Sequence, residues 1–212
     1  MPRKIFLLSP TPFEGVENLA MITFKTTSDT LALEDRDLLI FTSKQAVKSA
    51  YAINPSFIKT PTLSIGKATS KVLKDLGANV VHSADRFYGE VLIQDIQSYF
   101  ADRKLLYLRP QKVSTDIKKA LKDTTIDIQE QIIYQTECKH YKAKDKPPKN
   151  SIIIFTSPST IACFLENFVW ESSYTAVIIG KATLKHLPHN AKYTVASEPL
   201  IDACIAKALS IA

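Results

Sequence analysis

Ile40-Phe41-Thr42-Ser43 returns as Ile154-Phe155-Thr156-Ser157, and Ile65-Gly66-Lys67-Ala68-Thr69 returns as Ile179-Gly180-Lys181-Ala182-Thr183. The offset is shared, since 154 − 40 and 179 − 65 each give 114, so no residue was gained or lost between the motifs. Leu187 repeats Leu73 and Ser197 repeats Ser83 in the same register. Identical peptides in one register indicate two copies of a single α/β unit. A period this long is a pair of domains, because solenoid repeats run to about 20–50 residues. Each motif also sits where an apolar strand gives way to a helix, the end of an α/β sheet at which ligands bind.

Outward from these motifs the chain alternates short apolar runs with amphipathic stretches. Strands are expected at 4–9, 20–25, 38–42, 62–65, 79–82, 104–108, 126–134, 152–156, 176–179 and 192–195. Helices are expected at 43–52, 69–76, 89–100, 114–121, 158–169, 182–187 and 200–210. Such alternation specifies parallel sheets covered on both faces. Residues 151–212 supply only three strands, too few for an independent sheet, and the strand at 4–9 is available to join them. One domain is therefore expected to be discontinuous, from 1–21 and 142–212, with the other, 28–131, inserted in it. Segments 22–27 and 132–141 would be antiparallel linker strands, and a cleft between two such domains is a natural ligand site.

At 212 residues, with 45% apolar and 23% charged residues, the chain has an ordinary globular balance. Nothing resembles a membrane span. The apolar stretch at the N-terminus, ended by Pro10, is too brief for a signal-peptide core and reads as a strand. Cys138, Cys163 and Cys204 are odd in number and widely spaced, with no metal or disulfide pattern, so a reducing cytoplasm is the simplest setting. The excess of Lys and Arg over Asp and Glu is 27 − 21 = 6, and the pI is about 9.1. That suits a basic solvated surface or an anionic partner. No aromatic-basic stripe of the nucleic-acid type is present. His82, His140, His186 and His189 have no ligand spacing, and no phosphate-loop, Gly-x-Ser-x-Gly or paired-carboxylate motif occurs. An enzyme of this composition is expected to work without a metal, a nucleotide or a covalent nucleophile.

The candidate chemistry lies at the helix starts. Ser43 and Ser157 place a hydroxyl and free backbone N–H groups there, where partial positive charge suits carboxylates or phosphates; each also reads as a plain cap. Thr69 and Thr183 repeat the device after Gly66 and Gly180. Lys44, Lys67 and Lys181 add charge there or are simply solvated. Tyr134 ends the long strand where the chain crosses between domains, either as hinge packing or as a phenol able to donate to a leaving hydroxyl. Arg109 is a carboxylate clamp or a surface arginine.

The duplicated Phe-Thr-Ser and Ile-Gly-Lys-Ala-Thr motifs, with Ile132-Ile133-Tyr134-Gln135-Thr136 at the return crossing, resemble the uroporphyrinogen-III synthase family over nearly the whole chain. The resemblance implies two flavodoxin-like three-layer α/β domains with parallel sheets, joined by a two-stranded linker. It implies a cofactor-independent, cytoplasmic, monomeric lyase of heme biosynthesis, cyclising hydroxymethylbilane to uroporphyrinogen III with inversion of the terminal pyrrole ring. Hand-over of that substrate from hydroxymethylbilane synthase would follow, with no nucleic-acid or membrane partner. Carried onto this chain, Ser43, Thr69, Ser157 and Thr183 bind substrate and Tyr134 assists hydroxyl departure. Lys44 stands where proline is frequent in that family, and Gln111 where glycine often follows the arginine. Two other readings share these residues: a non-catalytic binder of an anionic metabolite, and a nucleic-acid binder whose affinity falls steeply with salt.

Overall fold

Leu38–Phe41 and Ile152–Phe155 are runs of four apolar residues with every side chain buried, which only a strand covered on both faces satisfies. The computed structural model describes residues 3–84, 89–113 and 115–212. In chain order the elements are β1 (Ile5–Leu7), β2 (Glu17–Asn18), β3 (Ile22–Thr26), β4 (Leu38–Phe41), α1 (Lys44–Ile53), β5 (Thr62–Ile65), α2 (Lys67–Asp75), β6 (Val80–Ala84), α3 (Gly89–Tyr99), β7 (Leu105–Pro110), α4 (Ile117–Ala120) and β8 (Ile128–Cys138). There follow β9 (Ile152–Phe155), α5 (Pro158–Asn167), β10 (Thr175–Ile178), α6 (Lys181–Leu184), β11 (Lys192–Val195) and α7 (Ile201–Leu209). The fold is mixed α/β with parallel sheets dominant.

The chain divides into two units, one of Met1–Thr23 with Thr136–Ala212 and one of Phe24–Gln135. In the first, the sheet order is β2-β1-β9-β10-β11, every pair parallel. Leu7 lies beside Ile154, and Ile154 beside Val177. One face carries Ile5, Leu7, Ile152, Ile154 and Val177 against Cys204, Ile205 and Ala208 of α7. In the second unit the order is β3-β8-β7-β4-β5-β6, and the pairs from β8 to β6 are parallel. Side chains alternate along each strand, so Leu39 and Phe41 bury against α1 and α2 while Leu38 and Ile40 bury against α3 and α4. The division between units falls inside β3 and inside β8.

Several elements differ from expectation for local reasons. Strand β2 is two exposed residues with no apolar pattern, and only its pairing with β1 makes it a strand. Helix α4 starts only at Ile117 because Asp116 caps it, its Oδ1 accepting from Lys119 N at 2.9 Å. Ser114, the expected start of that helix, lies outside the described residues, as do Met1 and Pro2.

The expectation that the cysteines form no disulfide framework is corrected. Cys138, the last residue of β8, forms a disulfide with Cys163 of α5, while Cys204 is free and buried. The two lie 25 residues apart in sequence, so only the fold brings them together. Among the described residues no helix is long and apolar enough to cross a membrane.

Tyr174 is fully buried against Trp170 and donates its hydroxyl to the Pro147 carbonyl. Burial pushes its phenol up to about 12. The folded value exceeds the ordinary value of about 10. This contribution to stability is therefore complete below pH 10 and is lost as the pH climbs from 10 towards 12. Urea midpoints followed by Trp170 fluorescence should fall across that range, and Tyr174→Phe should flatten the fall. An unchanged slope in the variant would show that Tyr174 does not set it.

Candidate functional site

Each sheet reverses its strand order once. In the first unit the reversal lies between β1 and β9, in the second between β4 and β7. Ligands of open α/β sheets bind outside the carboxyl ends of the strands at such a point. In both units the strand that borders it ends in Phe-Thr-Ser: β4 runs into Thr42-Ser43, and β9 into Thr156-Ser157.

Both serines cap ten-residue helices. Ser43 is extended, and its Oγ accepts from Ala46 N at 3.0 Å. Ser157 Oγ accepts from Thr160 N at 3.3 Å while Thr160 Oγ1 accepts from Ser157 N at 3.3 Å, a reciprocal box, with Pro158 in the first turn. Each cap satisfies one amide and leaves others of the first turn to a ligand or water. Lys44 opens α1 and is exposed.

The glycine motifs also recur, with a difference. Gly66 caps α2 with φ of 75°, in the left-handed region that favours glycine, whereas Gly180 caps α6 in extended backbone. Thr69 N donates to Gly66 O at 3.1 Å and Thr183 N to Gly180 O at 3.0 Å, so the same bond closes both turns despite the different glycine conformations. The expectation that the threonines open these helices is corrected. Lys67 and Lys181 open them and are exposed, while Thr69 and Thr183 sit two residues later and are only 5% and 3% exposed. Beneath Gly66, Ser70 Oγ lies 2.7 Å from Ser64 Oγ and 2.6 Å from Ser83 Oγ, a hydroxyl cluster that stiffens the turn.

Tyr134, from β8, is 4% exposed, and its hydroxyl lies 3.0 Å from Ser43 Oγ. Phe24 packs edge-on against its ring. Burial raises the phenol above its ordinary value, opposed by the Ser43 bond, so it stays protonated at neutral pH. Sequence reading gave Tyr134 and Ser43 separate roles; the structure joins them.

Sequence reasoning missed a parallel pair. Tyr107 of β7 is buried among the α3 and α4 contacts, on the other face of the sheet, and its hydroxyl lies 2.9 Å from Thr42 Oγ1. A tyrosine inside the run Leu105-Leu106-Tyr107-Leu108 was the available signal, because a buried phenol requires a partner. Adjacent hydroxyls of one strand end are thus each held by a phenol.

Of the two alternatives for Arg109, the surface arginine is ruled out. Its side chain is mostly buried and pairs with Glu130 at 2.8 Å, with further bonds to the carbonyls of Pro110 and Gln111. The bond to Glu130 holds its guanidinium even more firmly charged. Its Nε is buried without a hydrogen-bond partner among the described residues. A groove of about 740 Å³ in this unit, lined by Asp29, Glu34, Asp35 and Gln129, opens beside residues that precede β4 and start β8. That is the amino end of the strands, away from the serine tip, and its three carboxylates outnumber the one cation lining it, Arg36.

These features define a mixed α/β protein, parallel sheets dominant, with a serine-capped helix tip at the switch point of each sheet. Residues 16–206 match the family model described as uroporphyrinogen-III synthase HemD. The chain belongs to the uroporphyrinogen-III synthase family, whose members are cyclising lyases of tetrapyrrole biosynthesis. Among solved structures it is similar to the uroporphyrinogen-III synthetase of Helicobacter pylori, at 26% identity and TM-score 0.82 over 100% of both chains. It shares its fold with a mutant uroporphyrinogen III synthase from the extreme thermophile Thermus thermophilus, at 11% identity and TM-score 0.59 over 100% of both chains. No curated protein sequence matches it.

Proposed function

We propose that this chain converts hydroxymethylbilane to uroporphyrinogen III, losing the substrate's hydroxyl and closing the ring with its last pyrrole inverted. The observation that carries this reading is the recurrence of a serine-capped helix start at both switch points, in a chain of this family. Hydroxymethylbilane is a flexible polycarboxylate, and helix starts hold carboxylates through backbone N–H groups.

The azafulvene formed when the hydroxyl leaves is intrinsically reactive, so the protein's task is to choose which carbon is attacked. Spontaneous closure gives the unrearranged isomer, while inversion passes through a strained spiro intermediate. A tenfold preference needs only about 1.4 kcal/mol between the competing transition states. Carboxylate contacts that favour one conformer supply that by orientation alone. In this reading the helix starts at Ser43 and Ser157, with Lys44 and Lys181, meet substrate carboxylates, Thr69 and Thr183 fix the turns that present the Gly66 and Gly180 helix starts, and Tyr134 assists departure of the hydroxyl. Arg109 takes a substrate carboxylate by exchanging it for Glu130. No cofactor enters the reaction.

The same reading treats 1–21 with 142–212 and 28–131 as two domains linked by strands 22–27 and 132–141. The order β2-β1-β9-β10-β11 supports a flavodoxin-like first unit, and β6-β5-β4-β7-β8 is the other common doubly wound order. The protein would act as a cytoplasmic monomer, receiving its unstable substrate from hydroxymethylbilane synthase.

The test is to supply freshly made hydroxymethylbilane and separate the products by isomer. Type III should dominate. A mixture no richer in type III than the protein-free control would leave a non-catalytic binder of the same fold.

A further inference from the structure

The disulfide sits in a group with a second capacity. Among the described residues, Cys138, Cys163 and Glu166 bring two sulfurs and a carboxylate oxygen within 4.8 Å of one another. Cys163 and Glu166 are three residues apart on α5 and so share a face of that helix. Cys138 arrives from the end of β8, its Cα 5.2 Å from that of Cys163. Two thiolates and a carboxylate are a donor set for zinc, whose tetrahedral bonds of roughly 2.0–2.3 Å place neighbouring donor atoms closer together than that spread.

Opening the S–S bond does not release the two segments, because bonds without sulfur already fasten them. Asn167, at the end of α5, accepts from Tyr141 N at 2.7 Å. Its Nδ2 donates to the Lys139 carbonyl at 2.8 Å and to the Cys163 carbonyl at 2.7 Å. Lys139 N donates to Met21 O at 2.8 Å, and the Tyr141 hydroxyl to Ala20 O at 2.9 Å. The backbone on the far side of Cys138 is thereby tied both to α5 and to the N-terminal segment. A reduced pair stays face to face, which makes it a chelate and not a latch.

We infer that the reduced chain binds one thiophilic divalent cation, zinc above all, through Cys138, Cys163 and Glu166. Cys163 is buried, Cys138 half-buried and Glu166 exposed, so the fourth position of the ion opens to water. Disulfide and metal exclude each other, because both use the same two sulfurs. In reduction by a water-soluble phosphine, the phosphine gives two electrons to the S–S bond. Water supplies the two thiol protons and the oxygen of the phosphine oxide. Metal binding then releases those two protons to solvent.

The experiment titrates Co²⁺ into the full chain, oxidised or phosphine-reduced, reads thiolate-to-cobalt absorption, and displaces the cobalt with Zn²⁺. The reduced chain should take up one equivalent with thiolate bands, and the oxidised chain none. Cys138→Ser and Cys163→Ser should lose the bands, and Cys204→Ser should keep them. Glu166→Gln should weaken binding by at least about tenfold, a loss seen even for residues that only support a ligand. The oxidised wild-type chain is the folded control. Absent bands in the reduced chain, equal bands in the oxidised chain, bands that vanish with Cys204, or binding indifferent to Glu166→Gln would each overturn the assignment.

Discussion

Tyr134→Phe lowers the turnover of hydroxymethylbilane by about a hundredfold, the scale of a positioned proton donor, and leaves the fold in place. The phenol is buried, kept protonated by that burial, and bonded to Ser43 Oγ. Ser43 is the more exposed of the two and stands at the start of α1. In the proposed reaction the backbone N–H groups of the helix start take the carboxylate. The bonded Ser43 and Tyr134 hydroxyls together pass one proton to the departing hydroxyl and regain it from solvent. Ser43→Ala should then cost about as much as Tyr134→Phe, and the double variant little more, because residues that act as a unit are non-additive. The stability change from removing the phenolic hydroxyl stays near about 1 kcal/mol, the net worth of one hydrogen bond. Full activity in Tyr134→Phe would make the phenol structural. Strictly multiplicative losses would break the pairing.

Phe155→Ala destabilises its unit by about 3–5 kcal/mol, the usual cost of deleting a large core aromatic. Phe155 is fully buried, edge-on to Phe164 at 5.7 Å and 6.2 Å from Trp170. The chain has one tryptophan, so the fluorescence of Trp170 reports on this core during urea unfolding. Phe41 fills the equivalent place in the other unit, against Phe57 at 5.2 Å. The duplicated Phe-Thr-Ser therefore repeats a structural anchor as well as a cap. A loss below about 1 kcal/mol would mean the core closes over the gap, which close-packed interiors rarely do.

What was legible in the sequence is what local pattern controls. The buried runs at 38–41 and 152–155, the serine caps and the glycine turns declare themselves, because burial, capping and a positive φ each select residue types within a few positions. What was not legible depends on strand order. Tyr107 meets Thr42 because β7 lies beside β4, and Arg109 meets Glu130 because β8 lies beside β7 with Glu130 opposite Tyr107 and Ile132 opposite Arg109. Spacing along the chain carries no trace of either pair. Cys138 and Cys163 are the same case, brought together by the approach of β8 to α5. Strand β2 escaped for the opposite reason: its two exposed residues carry no pattern at all.

The proposed function requires the helix start at Ser43 and the helix start at Ser157 each to bind substrate carboxylate. Amide hydrogen exchange with and without uroporphyrinogen III tests it directly. Slowed exchange in the first turns of both α1 and α5, at residues 44–46 and 159–160, is the predicted result. Protection at one tip alone, or at neither while product is bound, would contradict it.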